Sequence, residues 1–140
     1  MKKSKPNHEE QLARALADYD NLVKRITRDR KEIITRAEQN LVEDLLPAID
    51  SLERASEHLN DKGLEMAMES LKQTLAQHGV EEIKVAKGEK FDSRIHEAVE
   101  SVPGGKHGEI AEVSTKGYAM AGSVIRPAKV IVFKGQLKEK

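Results

Sequence analysis

The side chains of this 140-residue chain that could do chemistry are five histidines and scattered serine, aspartate and glutamate residues. His96-Glu97 begins like the zinc-binding motif His-Glu-x-x-His, but residue 100 is a glutamate, so the second metal ligand is missing. Gly104-Gly105-Lys106 lacks the longer frame that cradles phosphates, and no Gly-x-Ser-x-Gly segment presents a serine nucleophile. The absence of cysteine excludes thiolate chemistry and disulfide bonds. We therefore expect no catalytic residue, no metal site and no cofactor, and a protein that is not an enzyme.

The C-terminal run from Lys116 to Phe133 is instead typical of a binding surface. β-Branched residues dominate it from Val124 onwards, with an interruption at Pro127. Because proline cannot donate to a strand ladder, the strand is predicted to lie at a sheet edge or to bend there. An irregular edge discourages self-pairing, and the neighbouring Arg126 and Lys129 would then carry charge toward a partner.

Residues 80–136 as a whole are predicted to form a small β domain, with a tail at residues 137–140. Short alternating segments and a glycine-rich turn at residues 103–108 indicate four or five strands. A core this small is marginal by itself. We therefore expect the β domain to be stabilised by helices of the same protein or by its partner.

The element that must carry this domain is a long helix, predicted over residues 12–46 after a disordered tail at residues 1–11. Its apolar residues recur every eleven positions, about 3.67 residues per turn, which favours a nearly straight or right-handed helix pair. One thin apolar stripe cannot bury itself, so we predict a homodimer; the alternative is that the stripe docks on later elements of the chain. The predicted dimer interface is Leu12, Tyr19, Val23, Ile26, Ile34, Leu41, Leu45 and Leu52.

A helical hairpin is predicted over residues 47–79. Pro47 removes a backbone donor, which predicts that the long helix ends or kinks there and that a new helix begins. The turn at residues 60–63 would supply the cap of the next helix, and Gly79 would end it. Two such hairpins would make a four-helix bundle in the dimer. The predicted fold class is therefore α+β.

Composition limits the classes of partner that the chain is expected to bind. Lysine plus arginine and aspartate plus glutamate each number 24, and aromatic residues make up 3 %, so neither overall basic charge nor abundant stacking residues point to nucleic acid. No run of apolar residues could span a membrane or serve as a signal peptide, so we expect a cytoplasmic protein that does not bind a membrane. From the charge balance we also expect no binding to nucleic acid. A basic cluster between Lys24 and Arg36 leaves nucleic acid open as an alternative; otherwise it is a solvated face with pairs such as Arg25–Asp29 and Arg28–Glu32.

The order of these parts resembles the GrpE family, the nucleotide exchange factors of DnaK-type chaperones. The resemblance rests on five segments that span nearly the whole chain in the family's order. They are Asp20-Asn-Leu-Val-Lys-Arg25, Asp44-Leu-Leu-Pro-Ala-Ile-Asp-Ser-Leu-Glu-Arg-Ala55, Gly79-Val80, Phe91-Asp-Ser-Arg-Ile-His-Glu-Ala-Val99, and the set Lys116-Gly-Tyr, Gly122 and Ile125-Arg-Pro-Ala-Lys-Val130.

The resemblance implies a homodimer of long helices with a four-helix bundle and paired β domains, one of which opens the chaperone's ATPase cleft and speeds ADP release. It also implies a contact surface for the ATPase domain on the β domain and on the long helix. The implied contact residues are Lys116, Tyr118, Met120, Ser123, Val124, Arg126 and Lys129, together with Lys24, Arg25 and Arg28. Ser123 stands where the family often has a basic residue. The alternative function is a dimeric coiled-coil scaffold whose β domain binds another protein.

Overall fold

The computed structural model of the chain describes residues 7–135. Two helices precede six strands: α1 (His8–Leu59), α2 (Lys62–Gln77), β1 (Val80–Ile83), β2 (His96–Val102), β3 (Ile110–Thr115), β4 (Gly117–Met120), β5 (Ser123–Arg126) and β6 (Ala128–Phe133). This order confirms the predicted α+β class. The predicted tail at residues 137–140 and the first six residues of the predicted N-terminal tail lie outside the described residues.

The chain divides into two compact units, residues 1–41 and 42–140. In the first unit, residues 8–41 all belong to α1. The helix begins four residues before the predicted Leu12 because Asn7 caps it: the Asn7 Oδ1 accepts a hydrogen bond from the Glu9 N–H at 3.0 Å. Glu9 and Glu10 add negative charge to the first turn, where the helix dipole favours it.

The second unit contains the end of α1, and here the prediction that a new helix begins at Pro47 was wrong. A single α-helix runs through the proline to Leu59, so the predicted boundary between residues 46 and 47 does not exist. The proline removes one hydrogen bond, but the side chains on either side of it, Leu46 and Ile49, are 0 % and 4 % exposed. Their burial offsets the loss of one backbone bond in a helix that is otherwise intact.

The turn between the helices follows the sequence prediction. Asp61 is the N-cap of α2, and its carboxylate accepts a hydrogen bond from the Leu64 N–H at 3.2 Å. Gly79 follows the C-cap residue His78 with a φ of 79°, a left-handed conformation that glycine adopts without a steric cost.

Two three-stranded sheets form the β domain. The first sheet has the order β1-β4-β5 and is antiparallel, while the second has the order β2-β6-β3 and pairs β2 with β6 in parallel. Pro127 separates β5 from β6, so the predicted single strand is divided between the sheets. The predicted bend at Pro127 is therefore confirmed, with β5 at an edge and β6 in the centre. Gly117 is required at this crossing because a Cβ there would collide with the backbone nitrogen of Ala128.

Each sheet has its own apolar core. The first sheet packs on the end of α1 and on α2, through Val42, Leu46, Ile49, Val80, Tyr118 and Met120, with Leu71 and Leu75 alongside. The second sheet encloses a separate cluster of Ile110, Ala128 and Val130. Helices of the same chain thus cover the first sheet, which is one of the two means of stabilisation expected for the β domain.

Candidate partner-binding surface

The β4–β5 hairpin presents the exposed part of the predicted partner surface. Its strands are joined by Ala121 and Gly122, whose φ angles of 50° and 82° are those of a tight hairpin turn. Ser123 is exposed just after this turn, and the next residue, Val124, leaves 40 % of its surface to solvent. An exposed β-branched side chain beside a rigid turn is well suited to contact another protein.

Tyr118 and Met120, also predicted to meet the partner, lie instead in the core. They are 4 % and 3 % exposed and pack against α1 and β1. Residues two apart on a strand point to the same face, and here that face is the helix-covered one. The Tyr118 hydroxyl is buried without a hydrogen-bond partner among the described residues, and burial raises its pKa to about 12.

Arg126 is directed toward its own chain. Its guanidinium donates to both carboxylate oxygens of Asp50 on α1, at 2.6 and 2.9 Å, and twice to the Lys116 carbonyl, at 3.1 and 2.6 Å. It also lies over the Tyr118 ring, 5.6 Å from the centroid. The hydrogen bond to Asp50 raises the pKa of Arg126 above its ordinary value.

Lys116 makes a second link between the same elements. Its Nζ lies 3.1 Å from a Glu53 oxygen on α1 and 3.9 Å from Glu82 on β1. The same Glu53 oxygen lies 3.1 Å from the Nζ of Lys72 on α2. Partial burial lowers the pKa of Lys116, but the hydrogen bond and charge of Glu53 outweigh this, so that its pKa is raised. We call Asp50, Glu53, Lys72, Lys116 and Arg126 the ion-pair cluster.

Sequence reasoning missed Asp50, Glu53 and Lys72. Asp50 and Arg126 are 76 residues apart, and no local pattern links them. The one signal on the helix is the spacing of Asp50 and Glu53, three residues apart and next to the buried Ile49. This spacing places both carboxylates on one face of α1.

The remaining predicted contacts are exposed. Lys129 lies on β6, in register with Glu97 of β2. In the first unit, Arg25 and Arg28 are exposed, and Lys24 pairs with Asp20 at 3.0 Å. The predicted Arg25–Asp29 and Arg28–Glu32 pairs are not found among the ion pairs of the described residues. In the observed pair the acidic residue precedes the basic one along the helix, which is the more favourable order, whereas in both predicted pairs the basic residue comes first.

The predicted dimer residues form an uncovered apolar stripe in the single chain. Each of the eight is between 42 % and 67 % exposed. Six belong to the first unit, from Leu12 to Leu41, where no described residue is buried. Leu45 and Leu52 belong to the second unit and point away from its core.

Residues 7–135 contain neither a metal-binding cluster nor a helix that could span a membrane. Across residues 7–135, no group of three His, Asp or Glu residues is arranged to hold a metal ion. Nor is any helix in this range long and apolar enough to cross a membrane. His96 is buried in the β domain, where its Nδ1 accepts a hydrogen bond from the Asp92 N–H at 3.0 Å, so it supports a turn.

Comparison with known proteins gives one consistent result. Residues 1–134 match the family described as GrpE. A protein named Protein GrpE from Coxiella burnetii is 40 % identical over 143 residues, which cover 94 % of this chain and 70 % of that protein. Its namesake from Helicobacter pylori strain G27 is 38 % identical over 94 % of this chain and 73 % of its own. The Protein GrpE of a Nitratiruptor species is 34 % identical over 91 % of this chain and 79 % of its own length. By its sequence along nearly all of its length, and with a helix-borne β domain as its fold, this chain is a member of the GrpE family.

Proposed function

We propose that this protein is a nucleotide exchange factor for a DnaK-type chaperone. It binds the chaperone's ATPase domain, opens the nucleotide cleft and accelerates ADP release, and so supports protein folding and the response to heat stress. The observation that carries the proposal is family membership over residues 1–134. The protein acts as a co-chaperone and not as a catalyst, and it needs no cofactor.

The physical basis of exchange is thermodynamic linkage. A protein that binds the open, nucleotide-free chaperone more tightly than the ADP-bound chaperone must weaken ADP binding by the same factor. Such a protein needs a rigid surface that fits only the open cleft. We propose that the β4–β5 hairpin, which belongs to a sheet packed on the helices, supplies this surface.

The contact surface we propose is narrower than the sequence suggested. On the β domain it consists of the exposed Ser123, Val124 and Lys129. On the long helix it consists of Lys24, Arg25 and Arg28, whose charge would steer association with an acidic partner surface. Burial removes Tyr118 and Met120 from this surface, and internal pairing engages Lys116 and Arg126.

We further propose that the functional form is a homodimer in the cytoplasm. The exposed apolar stripe of α1 would be covered by the same stripe of a second chain, and the helical hairpins would complete a four-helix bundle. The support is the exposure of all eight stripe residues, because a row of large apolar side chains in water is unfavourable. No role for nucleic acid or membrane is proposed.

Equilibrium titrations test the exchange mechanism. The dissociation constant of ADP for the chaperone is measured with and without this protein, and that of the protein is measured with and without ADP. Linkage predicts that both constants rise by the same factor, roughly 5- to 150-fold for a typical coupling. Tight binding to the chaperone with no change in ADP affinity would reject exchange and favour a scaffold.

A further inference from the structure

The contacts between α1 and the first sheet are of two kinds with different consequences. Apolar packing of Leu46 and Ile49 against Met120 is favourable but non-directional, so it tolerates small rotations of the sheet on the helix. A bidentate arginine–carboxylate pair instead fixes both distance and angle. The Asp50–Arg126 pair has this geometry, and both side chains are only about one-fifth exposed.

Arg126 has little capacity left for a partner. Its four hydrogen bonds to Asp50 and to the Lys116 carbonyl occupy four of the five N–H donors of a guanidinium. The same contacts tie β5 to the start of β4. The hairpin that presents Ser123 and Val124 is therefore held at its base by Arg126.

Glu53 extends this arrangement to the second helix. Only 13 % of its side chain is exposed, and one of its oxygens is shared by Lys72 of α2 and Lys116 beside β4. The ion-pair cluster thus joins α1, α2 and the first sheet through two adjacent carboxylates of one helix face.

We propose that Asp50 and Glu53 are positioning residues, which act through Arg126 and Lys116 to hold the β domain in one orientation on α1. They do not touch the chaperone. The hairpin is presented in a single pose, so no free energy of binding is spent on selecting it. This inference rests on the proposed exchange function.

The expected effect follows from the population of competent molecules. If loss of the pair leaves one molecule in ten with the correct orientation, the apparent dissociation constant rises about tenfold. The maximal rate at saturation is unchanged, because every bound molecule has the same pose. A residue that opens the cleft by direct contact would lower the maximal rate as well.

The first test measures orientation without any partner. The chain has no cysteine, so spin labels can be placed at Glu65→Cys on α2 and Glu97→Cys on β2, both exposed. Labelled protein is diluted with unlabelled chain to suppress distances between molecules. We expect one narrow distance distribution in the parent protein and in the Asp44→Ala control. Asp50→Ala, Arg126→Met and the milder Glu53→Gln should broaden it, with circular dichroism confirming that each variant folds.

The second test measures ADP release from the chaperone as a function of protein concentration. Asp50→Ala should raise the half-saturating concentration about tenfold and leave the maximal rate within about twofold. The double variant Asp50→Ala/Arg126→Met should be no worse than Arg126→Met, because both changes break one interaction. Asp44→Ala, an exposed carboxylate on the same helix, should behave as the parent.

Two outcomes would overturn the proposal. One is an unchanged narrow distance distribution in Asp50→Ala. The other is a loss of activity in Arg126→Met without any loss in Asp50→Ala, which would make Arg126 a direct contact. If the parent protein itself failed to accelerate ADP release from the chaperone, the proposed exchange function would be wrong. The spin-label distances would still decide whether Asp50 and Glu53 position the β domain.

Discussion

The backbone of Ala121 in the β4–β5 hairpin is strained. Its φ of 50° is left-handed, which costs an L-amino acid about 1–2 kcal/mol, and it precedes Gly122 in a turn that favours Asn-Gly. The residue lies at the tip of the proposed contact surface. A strained residue at such a place is consistent with selection for binding more than for stability.

Replacing this alanine should therefore stabilise the protein. Asparagine tolerates the left-handed region, so Ala121→Asn should raise the free energy of unfolding by about 1 kcal/mol. Urea denaturation followed by circular dichroism measures the change. As a matched control, Ala119→Asn alters the neighbouring strand and should be neutral or destabilising, since asparagine is disfavoured there. Equal stability of Ala121→Asn and the parent would argue against strain at the turn.

Tyr118 predicts a pH dependence at the alkaline end. Its pKa is raised to about 12 by burial, whereas it is about 10 when unfolded. The unfolded chain therefore loses this proton first, and stability falls between pH 10 and 12, by a loss on the order of 2 kcal/mol. Below pH 10 the group is neutral in both states and has no effect on the slope.

Two conservative variants isolate this effect from lysine titration. Tyr118→Phe should remove the Tyr118 part of the alkaline loss, and it should not be destabilising at pH 7, since the buried hydroxyl has no described partner. Tyr19→Phe, at an exposed tyrosine, should retain the full loss. Denaturation at a series of pH values from 8 to 12 measures the free energy of unfolding of each variant. The same dependence on pH in both variants would refute a role for Tyr118.

At this scale the sequence indicated a binding surface in the run from Lys116 to Phe133, but it could not give the direction of the side chains there. Strand alternation could have shown that Tyr118 and Met120 share a face, but not that α1 covers that face. The partner of Arg126 lies 76 residues away on another element, and only the fold brings it close.

At the scale of elements, local chemistry explains most boundaries. Asp61 and Gly79 cap α2 as predicted, because capping depends on residues close in sequence. The prediction of a new helix at Pro47 was wrong because the backbone hydrogen bond lost at the proline is offset by the burial of Leu46 and Ile49. These side chains are buried against the first sheet, which is distant in sequence. The division of the last strand at Pro127 was foreseen as a bend, but the assignment of β5 and β6 to different sheets was not.

The part of α1 in the first unit should be the first element to melt. None of its described residues is buried in the single chain, so in the proposed homodimer most of its stability would come from the second chain. We predict that helical ellipticity is partly lost at a lower temperature than the β domain, with a midpoint that rises with protein concentration. The β-domain transition should not depend on concentration.

Near-ultraviolet circular dichroism can follow the two transitions separately. The chain has two tyrosines and no tryptophan, so in Tyr19→Phe the tyrosine signal reports the packing of Tyr118 alone. We expect this signal to persist after the first loss of ellipticity at 222 nm. A single coincident transition at every concentration would contradict the prediction.

At the scale of the whole molecule, the residues proposed to present the contact surface are distinct from those proposed to touch the partner. Helices carry a small β domain. We propose that the ion-pair cluster fixes the orientation of this domain and that the exposed hairpin meets the partner. The class of fold and the family could be predicted from the sequence, because the ordered segments extend over nearly the whole chain. The narrower contact surface that we propose could not be predicted in this way, since it depends on which side chains are buried or already paired within the chain.

The most direct measurement of the central claim is the rate of fluorescent ADP release from the chaperone. The parent protein should accelerate release by about tenfold or more, and Val124→Asp should weaken this effect about tenfold at subsaturating concentration. Val99→Asp makes the same change at an exposed valine on β2, away from the hairpin, and should act as the parent. Release that stays at the background rate, or equal losses in both variants, would contradict the account.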